Sequence, residues 1–95
     1  METPIRVLIV EDARTDAELA VRALARAGLQ VDHRLAATEE ELRGQIAEFR
    51  PHLILSDYSM PHLSGLTALR VAQELSPGTP FIFVSGTIGE ESAIR

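Results

Sequence analysis

The sequence has no cysteine, which removes disulfides and thiolate metal sites and leaves a reducing compartment unopposed. Lysine is absent too, since all nine basic residues are arginine. Against fourteen acids they leave a net charge of -5. That balance disfavours the chain as a nucleic-acid binder, because phosphate backbones are held mainly by clustered basic side chains. No apolar run approaches the ~18 residues that a membrane-spanning helix needs, so no membrane association is expected. Met1 to Arg6 offers no apolar stretch ahead of a cleavage site, so no secretory signal is read and the cytoplasm is the expected compartment. Internal repeats, low-complexity tracts and interdomain linkers are also missing.

What is present fits one soluble globular domain. A chain of 95 residues buries only roughly 60 to 68% of its unfolded surface, so each layer of core matters. Ile5 to Val10 is a short β-branched run broken only by Arg6, which suits a strand covered on both faces. Ala17, Ala20, Val21, Leu24 and Ala27 recur at helical spacing, which predicts a helix from Asp16 to Ala27 with Thr15 and Glu18 as a capping box and Gly28 as the stop. Val31 to Ala36 reads as a weaker strand. Thr38 and Glu41 form a second capping box before Leu42, Ile46 and Phe49, and the three glutamates from Glu39 favour a helix start. Arg50-Pro51 ends that helix. Leu53 to Leu55 is a buried strand closing in Ser56-Asp57, and Ser64 caps a helix from Gly65 to Leu75. After the break at Pro77 to Pro80 come a strand from Phe81 to Val84, a loop from Ser85 to Gly89, and a helix begun at Glu90 that runs off the end.

Strands alternating with helices at this spacing imply an α/β fold, a doubly wound parallel sheet with helices on both faces. Open sheets of this kind hold ligands beyond the carboxyl ends of their strands, where the strand order reverses. The residues placed there are Glu11 and Asp12 after the first strand, Asp57 after the third, and Ser85 and Gly86 after the fourth. If the first and third strands are neighbours, the carboxylates of Glu11, Asp12 and Asp57 converge and repel. A hard divalent cation relieves this. Magnesium, or manganese in its place, fits an oxygen-only set better than zinc does. A carboxylate beside such a cation can attack phosphorus, and Ser85 is placed to donate a hydroxyl to the phosphoryl group.

Together, Val7-Leu8-Ile9-Val10-Glu11-Asp12, Leu53 through Asp57 with Tyr58-Ser59-Met60-Pro61, Gly65-Leu66 and Phe83-Val84-Ser85-Gly86 resemble the receiver domain of two-component response regulators over nearly the whole chain. The resemblance implies the flavodoxin-like three-layer fold with strand order 2-1-3-4-5. It implies Asp57 as the phosphoacceptor, a cation held by Glu11, Asp12, Asp57 and the Ser59 carbonyl, and Ser85 as the phosphoryl contact. The implied donor is a sensor histidine kinase or a phosphotransfer protein, and the domain is not expected to be an enzyme with turnover of its own. Ser85 to Glu91 also resembles receivers attached to, or partnered with, sensor kinases.

The sequence departs from that pattern at its end. A receiver spanning 1 to 95 lacks the family's fifth strand and helix, and with them the family's lysine, for which a planar guanidinium is no close substitute. Weak or absent phosphorylation is therefore expected, together with an exposed apolar edge at Phe81 to Ser85 that is stable only in a homodimer or with a segment from another polypeptide. A dinucleotide-binding enzyme needs glycines where Glu11-Asp12-Ala13-Arg14 stands. An aspartyl phosphatase needs a second carboxylate shortly after Asp57. The serious rival is a receiver-like interaction module that is never phosphorylated. His33, His52 and His62 lack ligand spacing and read as surface residues, Tyr58 as loop packing, and Met60-Pro61 as loop geometry.

Overall fold

A computed structural model describes residues 4–58, 60 and 62–84. The expected loop and helix beyond Val84, with Ser59 and Pro61, lie outside the described residues. In chain order the elements are β1 (Ile5–Val10), α1 (Arg14–Arg26), β2 (Val31–Ala36), α2 (Glu39–Phe49), β3 (Leu53–Asp57), α3 (Gly65–Leu75) and β4 (Phe81–Val84). The strands form one parallel sheet in the order β2-β1-β3-β4. The order reverses between β1 and β3, as expected.

Alternation along the strands divides the core in two. Leu8, Val10 and Ile54 point to the side covered by Leu42, Ile46 and Phe49 of α2 and by Ala68, Val71 and Ala72 of α3. Val7, Ile9 and Leu55 point the other way, onto Ala17, Ala20, Val21 and Leu24 of α1. β1 is thus buried on both faces, which is why its sequence is a continuous apolar run. Each fully buried Leu or Ile in it contributes roughly 1.5 to 3 kcal/mol.

The helix ends explain most of the boundaries. Thr38 Oγ1 accepts the Glu41 N–H at 3.1 Å, and the Glu41 carboxylate reaches back to the Ala37 N–H at 2.8 Å. Ser64 Oγ accepts the Thr67 N–H at 3.1 Å. At the far end of α1, Gly28 takes φ 90°. The Leu29 N–H reaches the Leu24 carbonyl and the Gly28 N–H that of Ala25, the double bond of a Schellman motif that glycine makes cheap.

The start of α1 corrects the sequence reading. The helix begins at Arg14, two residues before Asp16, with Ala13 as N-cap and no side-chain cap bond. Thr15 and Glu18 therefore make no capping box. Ahead of the helix, Glu11 Oε2 accepts the N–H of Ala13, the N-cap residue itself, at 3.1 Å.

The two sheet edges differ. β2 presents Asp32, His33 and Arg34 to solvent, charged and polar groups that discourage further strand pairing. β4 leaves Ile82 49%, Phe83 38% and Val84 40% exposed, and among the described residues nothing pairs with its outer side. No described helix is long and apolar enough to cross a membrane.

Candidate functional site

Val10 and Ser56 are the last register partners of β1 and β3. The next residue in each chain is Glu11 and Asp57, and adjacent strands lie about 4.8 Å apart. Asp57, still within β3, continues the alternation of Leu55 toward the α1 side, while Glu11 follows the last residue of β1. A backbone bond from the Glu11 N–H to the Ala36 carbonyl, 3.1 Å long, keeps Glu11 tied to the sheet. Glu11 is only 9% exposed, whereas Asp57 is half-buried and Asp12 exposed.

Burial holds the Glu11 carboxyl above its ordinary proton affinity; the Ala13 N–H opposes this, and the negative charges of Asp57, Asp16 and Asp12 add to it. The ion pairs among the described residues all involve Arg43, which bridges Glu39 and Glu74. No described arginine forms an ion pair with Glu11, Asp12 or Asp57, although Arg14 lines the same cleft as the first two. Its donors are hard oxygens, which suits a cation such as magnesium that takes one or two carboxylates and keeps several waters. Among the described residues no three His, Asp or Glu side chains form a ready-made metal cluster; the acids share a field without enclosing a ligand shell. A cleft of about 480 Å³ opens beside Glu11 and Asp12 on the β2 side, and Asp57 is not among its lining residues.

The first two carbonyls at the start of the loop are held. Ser56 Oγ donates to the Asp57 carbonyl at 2.8 Å, and the Gly65 N–H donates to the Tyr58 carbonyl at 2.9 Å. With these carbonyls engaged, the next one along the chain belongs to Ser59. Met60 and Leu63 insert into the core on the α2 and α3 side, so Met60 packs as well as shaping the loop. Gly65 lies so close to the loop that a Cβ there would stand 2.7 Å from the Phe83 ring and 2.9 Å from Tyr58 Cα and O.

Of the five residues singled out from sequence, Glu11, Asp12 and Asp57 come to one end of the sheet, while Ser59 and Ser85 lie outside the described residues. The histidines are dispersed and exposed, and His52 has a backbone task, accepting the Arg6 N–H on Nδ1 at 2.9 Å. Three contributors were missed. Asp16 stands one helical turn beyond Asp12, a spacing that could have signalled it. Ser56 is a polar residue on the buried side of an apolar strand, also a readable signal. The steric need for glycine at 65 depends on Phe83 and Tyr58, and no local pattern announces it.

The family described as response regulator receiver domain matches residues 7–95. A protein-glutamate methylesterase/protein-glutamine glutaminase of Xanthomonas oryzae is 36% identical over 86 residues, covering 90% of this chain and 24% of the relative. The chain thus spans about a quarter of the length of the curated relatives it matches. A response regulator receiver protein from Pseudomonas putida is similar in structure, with TM-score 0.72 and 27% identity over 99% of this chain and 78% of that one. So is the response regulator domain of Thermotoga maritima CheB, with TM-score 0.68 and 26% identity over 97% and 69% of the two chains.

Proposed function

The chain belongs to the response regulator receiver domain family, and from that premise we propose that it accepts a phosphoryl group on Asp57. The observation that carries this reading is the placement of Glu11, buried and with raised proton affinity, one register step beyond Val10 and beside Asp57. Glu11, Asp12, Asp57 and the Ser59 carbonyl would hold a magnesium or manganese ion, which would supply charge neutralisation for the transferring oxygens. Asp57 provides the nucleophile. One of its carboxylate oxygens bonds to phosphorus as the bond from phosphorus to the donor nitrogen breaks, and the electron pair leaves with the donor's imidazole. Ser85 donates its hydroxyl to the phosphoryl group. The donor is a sensor histidine kinase or a phosphotransfer protein, and the event takes place in the cytoplasm.

The domain turns over no substrate of its own in this proposal. Methylesterase and glutaminase are activities of the relatives named above, of which the matching part is about a quarter. The exposed edge of β4 favours a second reading, an interaction module that pairs with a second copy of itself and is never phosphorylated. Magnesium titration and incubation with acetyl phosphate separate the two. A phosphoacceptor responds to the cation and gains a phosphoryl group only when it is present, whereas a pure scaffold responds to neither.

A further inference from the structure

Among the described residues only two polar side chains are buried, Glu11 and Ser56. Both stand at the carboxyl ends of neighbouring strands; Glu11 bonds to the backbone just before α1, and Ser56 to that of Asp57, the last residue of its own strand. Glu11 belongs to the acidic site already described. Ser56 has no assigned task, yet it is 0% exposed. Its register partners are Val10 on β1 and Phe83 on β4, so packing alone would be served by an apolar residue. A hydroxyl in such a place is costly unless hydrogen-bonded. Its recorded partner is the Asp57 carbonyl, 2.8 Å away.

We infer that Ser56 is a positioning residue for the acceptor: its hydroxyl fixes the peptide plane between Asp57 and Tyr58 and so the direction in which the Asp57 carboxylate leaves the sheet. The next carbonyl, that of Tyr58, is held by the Gly65 N–H at 2.9 Å. With consecutive carbonyls tied, the backbone on the carboxyl side of Asp57 has little freedom to rotate. Such restraint matters for in-line attack, since a misplacement of about 1 Å can cost on the order of a hundredfold in rate. Ser56 touches neither phosphorus nor cation and acts only through Asp57. The inference rests on the phosphoacceptor reading for its rate effect, but not for its geometric effect.

The test uses the 95-residue chain with Ser56→Ala, Ser56→Val and Ser56→Thr. Phosphoryl gain is followed at saturating acetyl phosphate and magnesium, beside thermal unfolding. Alanine and valine are expected to unfold close to the parent and to lose about tenfold in maximal rate with donor half-saturation unchanged, and threonine, which keeps the hydroxyl, to recover most of it. Equal maximal rates in parent and Ser56→Ala overturn the inference. A Ser56→Ala chain that loses its fold also overturns it, by assigning the hydroxyl to stability. If the parent gains no phosphoryl group, the acceptor reading fails and Ser56 is judged on the carbonyl-carbon NMR resonance of Asp57. A shift in alanine and valine that threonine restores supports positioning, and an unchanged resonance contradicts it.

Discussion

Tyr58 and Phe83 meet edge to face, with ring centroids 5.2 Å apart and planes at 71°. The residue next to Asp57 is thereby joined to the exposed strand β4, and Phe83 continues the chain of rings to Phe81 at 5.2 Å and 75°. Aromatic pairs in this geometry are worth about 0.5 to 1.5 kcal/mol beyond the area they bury. Gly65 permits the pair by leaving room beneath it.

Gly65→Ala is therefore expected to destabilise the domain by roughly 1 to 3 kcal/mol, as an overpacked site does, measured by chemical denaturation. Adding Phe83→Leu should restore only part of the loss. The Phe83 ring can give way, but the Tyr58 Cα and carbonyl that a Cβ would also meet at 2.9 Å are backbone. Full rescue by Phe83→Leu would show that the backbone approach is unimportant.

Glu11 sets a pH dependence whose sign follows from its raised proton affinity. As pH rises through the ordinary value of 4.5, the unfolded chain ionises Glu11 before the folded one does. The folded state then holds more protons, and stability falls until the folded carboxyl ionises as well. Glu11→Gln removes this loss, so its stability relative to the parent should grow with pH above the ordinary carboxylate range. Magnesium should narrow the gap by stabilising the parent. A difference between the two chains that stays flat with pH contradicts the assignment.

Much of this arrangement was legible because apolar runs and breakers are local signals. The bounds of β1, β2, α3 and β4 follow from their residues alone, as do the caps at Thr38 and Ser64. The start of α1 departs from the capping-box pattern because the helix begins at Arg14 with Ala13 as N-cap and no side-chain cap bond, so Thr15 lies inside the first turn. The three acids could be placed at one end from topology, but topology does not say how buried each is. That Glu11 is enclosed while Asp12 is exposed depends on Ala13 and on the path of α1. The Tyr58, Gly65 and Phe83 contact joins positions far apart in sequence, so only the fold reveals it.

The Ser64 cap begins α3 after the loop that follows Asp57. Ser64→Ala should cost about 1 kcal/mol and raise hydrogen exchange at the Thr67 amide, whose N–H would lose its acceptor. Ser64→Asp, which restores an acceptor at a helix N-terminus, should recover it. An unprotected Thr67 amide in the parent would remove the basis for this cap.

Association through β4 is expected to depend on its apolar edge. Ile82→Lys places a charge where the strand is exposed and should lower the average mass seen by light scattering at micromolar concentration, with little effect at β2, where Asp32 and Arg34 already stand. A parent chain that is monomeric and melts cooperatively at that concentration rules out the edge as a contact between copies.

The most direct test of the acceptor assignment is mass spectrometry of the intact chain after acetyl phosphate with and without magnesium, in the parent and in Asp57→Asn. The predicted result is a slow, magnesium-dependent gain of one phosphoryl group that hydroxylamine removes and that Asp57→Asn abolishes. A gain that persists in Asp57→Asn, or one indifferent to magnesium, would contradict the account.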